Sequence, residues 1–391
     1  MRISHKFSMH ATPSIYNNVT SDEHFQAART IAANSHVLLK NSDNLLPYDF
    51  NGKKVAIFGT QADTPCVGGG GSGQVSPAWL PTPLLTVHAH VSGGSYGDLT
   101  DDVTYAGDDK SVEEMQELAK DADICLFFLG TSSSEGGDRD TLKLTNDRYV
   151  IDVAKKCAKS AAIVTTPGAV LTPWEDVVDA MIIHFMPGVA SAFASMDVLA
   201  GDVNPSGKLP ITMPMVENQE GMTESQYPGL DGGMNATYSE GWAFGYRYYH
   251  LHKESPRHWF GEGMSYSNFE LSKATWDSDD NVSVVISNTG KVDGSEVPQL
   301  YLQPPEECDQ PLWMLRGFEK VAVSAGESAE VSFVLEDVDL SVWDASGDAD
   351  SHGWKKCQGE YTARIGFSSD INVEFDEDET NDKYVEVTRT I

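Results

Sequence analysis

The stretch Ile124-Cys125-Leu126-Phe127-Phe128-Leu129-Gly130-Thr131-Ser132-Ser133-Ser134-Glu135-Gly136-Gly137-Asp138-Arg139 decides how most of this chain is read. Its first six residues are apolar and uncharged, as in a strand buried on both faces inside a parallel sheet. A glutamate follows just past the strand's end. In open α/β sheets, ligands gather at the carboxyl ends of such strands. Gly136 and Gly137 let the backbone bend sharply and leave the carboxylate unhindered. Glu135 is therefore placed as enzymes place an acid/base. On this segment alone, a solvated glutamate beside Arg139 is the commoner outcome for a lone acid in a glycine loop.

Working outward, strand and helix alternate. Thr20-Ser21-Asp22-Glu23 reads as a capping box with Thr20 as N-cap, opening a helix with Phe25, Ala28 and Ala32 on one face. Strands are expected at Val37-Leu38-Leu39 and Val55-Ala56-Ile57-Phe58. A second capping box, Ser111 to Glu114, opens the helix that leads to the Ile124 strand. A helix is expected over Asn146 to Lys159, with Lys155, Lys156 and Lys159 at its C-terminal end, where the dipole favours cations. Strands near Ala162–Thr165 and Met181–His184 follow, then a helix from about Val189 to Leu199. This alternation predicts an α/β domain over residues 22–215, a mostly parallel sheet covered by helices on both faces.

Residues 216–270, rich in glycine and tyrosine without clear periodicity, read as a connecting segment. Beyond them come short alternating strands at Val282–Ile286, Gln299–Leu302, Val331–Val334 and Tyr361–Ile365, separated by turns such as Asn288-Thr289-Gly290 and Ser324-Ala325-Gly326. They predict an all-β sandwich over 271–375. Residues 376–391, opening on the acidic run Asp376 to Glu379, read as a solvated tail.

Composition excludes more than it identifies. A chain of 391 residues, 40% hydrophobic with eight tryptophans, is a folded protein of two or three domains. Its 27 basic and 59 acidic residues give a formal charge of −32, which repels phosphate backbones and disfavours nucleic acid as a partner. A neutral substrate is the easier match. No apolar run approaches the length needed to span a bilayer, and Met1-Arg2-Ile3-Ser4-His5-Lys6 leads into no signal-peptide core. Sequons at Asn18, Asn235 and Asn281 weigh weakly toward a secretory route. The five cysteines are odd in number and widely spaced, with neither a disulfide framework nor zinc spacing. Cys125 and Cys157, in apolar surroundings, read as core thiols; pairing of Cys308 with Cys357 is the lesser reading for those two.

Gly68-Gly69-Gly70-Gly71-Ser72-Gly73 formally satisfies the dinucleotide fingerprint G-x-G-x-x-G. That fingerprint needs a strand immediately before it and a helix immediately after. Here the strand ends near Gly59, and Gln74-Val75-Ser76-Pro77 with Pro81 and Pro83 follow, so no helix is expected and nucleotide binding is set aside. The favoured reading is a loop packed against a partner surface, where missing side chains allow close approach; a free surface loop is the plainer one. His88 with His90, and His250 with His252, lack the carboxylates or cysteines that would complete a metal site and read as surface histidines. No G-x-S-x-G elbow supports a serine hydrolase.

Taken in order, these pieces resemble the C-terminal portion of glycoside hydrolase family 3, which contains many β-glucosidases and β-xylosidases. The resemblance is carried by Ala32–Asn41 with Leu45-Leu46-Pro47, by Lys54–Gly59, Gly69–Gly73 and Glu135–Arg139, and by Asn204–Pro210, Phe244–Tyr249 and Phe260–Ser267. The sandwich, with Leu315–Val321 and Ala325–Ser328, is similar to the fibronectin type III-like domain that closes many members. The resemblance implies that Glu135 is the general acid/base of a retaining glycosidase, with Asp138, Arg139, Ser72 and Gly73 as candidates to face substrate and neither metal nor cofactor needed. It implies a carbohydrate substrate, a β-glucoside or related β-glycoside, and a secreted or vacuolar/lysosomal full-length protein. It also implies a nucleophilic aspartate on a separate N-terminal (β/α)8 barrel, for which the chain has no room, since a barrel takes about 250 residues. Residues 1–21, with Arg2–Phe7, then look like the end of the segment joining barrel to α/β domain. The chain alone is expected to be inactive. The alternative is a non-catalytic, carbohydrate-associated module of the same architecture.

Overall fold

A computed structural model describes residues 19–308, 310, 313–346, 352–371 and 383–391. Arg2–Phe7, Asn18 and the run Asp376–Glu379 lie outside the described residues. The first helix, α1 (Asp22–Ser35), packs its Ala32 and Ala33 inward. Its N-cap is Ser21, not Thr20: the Ser21 hydroxyl accepts from the His24 amide at 3.2 Å. The cap sits one residue later than expected because serine, like threonine, satisfies an orphan N–H of the first turn.

Six strands form the sheet of the α/β domain: β1 (Val37–Asn41), β2 (Val55–Phe58), β3 (Val103–Ala106), β4 (Ile124–Gly130), β5 (Ser160–Thr165) and β6 (Ala180–His184), in the order β1-β6-β5-β4-β2-β3. All neighbours are parallel except β1, which runs antiparallel to β6 at the edge. The helices α2 (Pro83–Ser92), α3 (Val112–Lys120), α4 (Val150–Ala154) and α5 (Ser191–Ala200) complete two covering layers. Strand β4 is buried throughout. Its Cys125, Phe127 and Leu129 join Met115, Ala119, Val150, Val153 and Trp174 in one core. Its Ile124, Leu126 and Phe128 join Ala32, Val87, Met196 and Leu199 in the other. That is why an uninterrupted apolar run, not an alternating one, marks the central strand.

Several expectations are corrected here. The helix expected over Asn146–Lys159 is only the short α4, since Asn146 is in the left-handed region (φ 67°) and Asp147 is held by the Trp174 indole at 2.9 Å. Cys157, just past α4, is bridged to Cys125 of β4 with Cα atoms 5.9 Å apart, so these are a disulfide and not core thiols. Cys308 and Cys357 form a second disulfide, and Cys66 is free. Pro83 is not a helix breaker: it occupies the first turn of α2, where its missing N–H costs nothing, behind the N-cap Thr82. His88 is therefore a buried helical residue whose Nδ1 accepts from the Thr100 amide at 3.2 Å, not a surface histidine.

Residues beyond the sheet include a short turn α6 (Leu230–Gly233) and the helix α7 (Tyr246–His252). His250 of α7 is buried against the Ser369 carbonyl, 2.7 Å from its Nε2, which corrects its reading as a surface residue. The C-terminal domain is all antiparallel. Its strands are β7 (Phe269–Trp276), β8 (Asn281–Asn288), β9 (Gly294–Glu296), β10 (Gln299–Gln303), β11 (Met314–Phe318), β12 (Val321–Val323), β13 (Ser328–Val334), β14 (Ser341–Asp344), β15 (Gly353–Lys356), β16 (Glu360–Gly366) and β17 (Tyr384–Thr390). A four-stranded sheet β11-β10-β16-β17 faces a three-stranded sheet β13-β8-β7. Inward residues such as Val284 and Ile286 of β8 pack against Leu300 of β10 and Ile365 of β16. The C-terminal residues are not a tail: β17 pairs along β16 from Tyr384 opposite Gly366 to Thr390 opposite Glu360. Arg364 locks it in place, stacked between Trp313 and Tyr384 at 4.3 and 4.2 Å.

Candidate active site

The strand β2 and the strand β4 open at their carboxyl ends into two loops that meet. From β2 the chain runs into the glycine-rich segment, and from β4 into the Glu135 loop. Their backbones are joined by two hydrogen bonds: the Gly70 amide donates to the Ser133 carbonyl at 2.9 Å, and the Glu135 amide donates to the Gly70 carbonyl at 3.3 Å. The Gly137 amide closes the Glu135 turn on the Ser134 carbonyl at 3.3 Å, and Gly136 takes φ 75°. The glycine segment ends in a single 3₁₀ turn, Gly71–Gly73. No helix opens there, so the dinucleotide fingerprint is a coincidence of composition. The surface against which the loop packs is the Glu135 loop of the same chain.

The Glu135 side chain reaches the solvent, with one oxygen fixed. The Ser72 amide donates to Oε2 at 2.7 Å. Hydrogen bonding from Ser72, through its side chain and its amide, holds the carboxyl below the ordinary glutamate value. Gly71 makes this contact possible: it has φ 85°, and a Cβ there would lie 2.4 Å from the Glu135 Cβ.

The other expected positions divide. Ser72 meets Glu135, and Gly73 lies exposed on the same turn. Asp138 accepts a hydrogen bond from the Tyr227 hydroxyl at 3.3 Å. Arg139 turns inward instead, its Nη2 donating to the Ala169 carbonyl at 2.9 Å while Nη1 is buried without a hydrogen-bond partner. Open depressions of about 640 and 570 Å³ flank the loop, sharing Ser133, Ser134, Gly137, Asp138 and Arg139. Tyr227, 60% exposed on the rim of the larger one, and Gly71, under the carboxylate, were not foreseen. Tyr227-Pro228-Gly229 reads only as a turn in sequence, with no chemistry to single it out.

The C-terminal-domain model of glycosyl hydrolase family 3 matches residues 36–246, more than half of the chain. The chain belongs to glycosyl hydrolase family 3. A fibronectin type III-like domain matches residues 296–369. Similar proteins include a probable β-glucosidase D of Emericella nidulans, 32% identical over 409 residues, covering 88% of this chain and 49% of the relative. The thermostable β-glucosidase B of Acetivibrio thermocellus is 32% identical over 368 residues, covering 89% of this chain and 47% of the relative. Among solved structures, the family 3 β-glucosidase of Bifidobacterium adolescentis superposes with a TM-score of 0.82 at 30% identity, covering 97% of this chain and 55% of that one. The chain thus spans about half the length of the curated relatives it matches.

Proposed function

We propose that this chain is the C-terminal part of a retaining β-glucosidase-like hydrolase, in which Glu135 is the general acid/base. The observation that carries the reading is the placement of Glu135: it lies past the carboxyl end of the central strand, held by the glycine loop, with its carboxyl presented to solvent. The names of the relatives, all β-glucosidases, support a β-glucoside or related β-glycoside as substrate. Retaining glycosidases work with two carboxyl groups about 5–5.5 Å apart, one protonating the leaving oxygen and one attacking the sugar. In this reading a (β/α)8 barrel supplies the attacking aspartate. A general acid works best with its pKa raised toward the operating pH. A barrel covering the exposed Glu135 loop would desolvate the carboxyl and move it in that direction.

Asp138, Arg139, Ser72 and Gly73 keep a place in the reading as residues near the bound sugar, with Asp138 and Tyr227 forming one wall. For the full-length protein we propose a secreted or vacuolar location, supported by two disulfides, which persist in oxidising compartments. Among the described residues no helix is long and apolar enough to cross a membrane.

The test is turnover by the purified chain. Residues 1–391 alone are expected to hydrolyse a nitrophenyl β-glucoside no faster than buffer, because residues that act as a unit lose nearly all their effect when one is missing. Sustained hydrolysis that follows the protein through purification would mean that the second carboxylate lies within this chain, with Asp138 and Asp140 the first to replace.

A further inference from the structure

The glycine-rich loop touches the acid/base directly, through its main chain and through Ser72. Four consecutive glycines precede Ser72, and the structure separates their duties. A Cβ on Gly70 would meet the Ser134 Oγ at 2.8 Å, and one on Gly71 would meet the Glu135 Cβ at 2.4 Å and its amide nitrogen at 3.1 Å. A Cβ on Gly68 would meet nothing within 4 Å. The two glycines at which a Cβ would come within 3.0 Å of a neighbour are therefore those that lie on the Glu135 loop. Between them the Gly70 carbonyl takes the Glu135 amide, and just after them the Ser72 amide takes Oε2. Main chain and side chain of the glutamate are both gripped by three consecutive residues.

We propose that Gly70-Gly71-Ser72 is a positioning clamp that reserves Oε1 of Glu135 for the transferable proton, an inference that rests on the reading of Glu135 as the acid/base. An N–H donor facing Oε2 favours that oxygen as the carbonyl of the neutral acid, since a hydroxyl oxygen is the poorer acceptor. The proton then resides on Oε1, the oxygen that the Ser72 amide does not hold. When a substrate is bound, the Oε1–H bond breaks and its proton passes to the glycosidic oxygen, leaving the bonding pair on the carboxylate. The bond between the sugar carbon and that oxygen breaks toward the leaving group, and the barrel's carboxylate supplies the pair that closes on the carbon. In the return step water loses a proton to Oε1 as its oxygen attacks the sugar carbon, and the bond from that carbon to the barrel's carboxylate breaks with its pair returning to the carboxylate. In the first step negative charge grows on the Glu135 carboxylate, and a hydrogen bond to a charged acceptor is stronger than one to a neutral acid. The Ser72 amide thus stabilises the state in which the proton has left. The clamp residues position the acid and do not touch substrate.

The experiment reads the clamp in the chain of 391 residues, without a barrel. With the glutamate side-chain carboxyl carbons labelled, Glu135 is identified by the loss of its signal in Glu135→Gln and titrated by NMR. The charged groups closest to it in sequence are Asp138 and Arg139. The carboxyl is expected to titrate below an ordinary glutamate, and the Ser72 amide proton is expected to move downfield with the same midpoint as it ionises. Gly71→Ala, which drives the two loops apart, is expected to shift the Glu135 midpoint up toward the ordinary value and to uncouple the Ser72 amide. Gly68→Ala is expected to leave both unchanged. A Ser72 amide that stays flat while Glu135 titrates would overturn the clamp, and this measurement needs no variant other than the one used for assignment. A Gly71→Ala protein that folds and titrates like the parent would overturn it as well. Neither failure would touch the assignment of Glu135 as the acid/base, which is tested separately by its own substitution.

Discussion

Glu135→Gln, made in this chain joined to a barrel that carries the nucleophile, is expected to slow hydrolysis of an alkyl β-glucoside by about 10²–10⁴-fold, the usual contribution of a positioned general acid. Glutamine keeps the shape of the side chain and still accepts from the Ser72 amide, so the loop geometry of Gly70 to Glu135 is preserved. What is lost is the proton. An alkoxide is a poor leaving group and must be protonated as the bond breaks, whereas a nitrophenolate leaves without help. The glycosylation step on a nitrophenyl β-glucoside is therefore expected to fall much less, and pre-steady-state rates on the two substrates measure the difference. Equal loss on both would mean that Glu135 holds the loop together and does no acid chemistry.

Glu175→Ala is expected to lower the stability of the chain by about 3–5 kcal/mol, the range for breaking a buried ion pair from one side. Glu175 sits on a 3₁₀ turn between β5 and β6, and its carboxyl gathers three donors: the His258 Nε2 at 3.0 Å, the Arg257 Nε at 2.9 Å and the Thr172 hydroxyl at 2.8 Å. His258 is held from its other nitrogen by Glu262 at 2.9 Å. Burial alone would lower the His258 pKa, but its hydrogen bonds to Glu175 and Glu262 outweigh that and raise it to about 9. Burial would likewise raise Glu175, yet the hydrogen bond and charge of His258, with Arg257 and Thr172, bring it down to about 2. The histidine's share of stability is whole below its ordinary 6.5 and is lost as pH rises through 9. The glutamate's share is whole above its ordinary 4.5 and is lost as pH falls through 2. The gap between parent and variant should be widest from pH 4.5 to 6.5 and should narrow toward pH 9, as read by urea unfolding at each pH. A gap under about 1 kcal/mol, the scale of a surface pair, would show that the network is merely decorative.

The parts of the fold that a one-dimensional reading reaches are those governed by local rules. Strand β4 announces itself because both its faces are covered, so six apolar residues run without a break. The Ser111–Glu114 capping box is present as written, since both its partners lie within one turn. The β8 strand alternates because one side faces the sandwich core. Where the reading fails, the deciding partner lies far along the chain or the local signal has two meanings. Pro83 is a breaker inside a helix and a starter in its first turn, and only Thr82 before it tells which. Cys125 and Cys157 look like core thiols because a disulfide between β4 and the end of α4 leaves no mark in their spacing. Strand β17 hides behind an acidic run and is recognised only by its pairing with β16.

The candidate site divides in the same way. Glu135 is legible because strand, glutamate and paired glycines are consecutive in sequence. Its relation to Ser72 is not, because a backbone amide carries no signature of its own. The glycines that allow the contact are visible, but they suit a phosphate loop equally well until Gln74-Val75-Ser76-Pro77 and Pro81 argue against a helix directly after them. Tyr227 comes from the connecting segment and reaches Asp138 only because that segment folds back beside the Glu135 loop.

The central claim, that Glu135 gives and takes the catalytic proton, is tested most directly by the product formed when its side chain is removed and replaced by a small anion. Glu135→Ala in the barrel-joined enzyme, given a nitrophenyl β-glucoside and sodium azide, is predicted to turn over faster as azide is added and to release β-glucosyl azide, because azide attacks the glycosyl-enzyme without a general base. Glucose as the only product, at a rate indifferent to azide, would contradict the assignment.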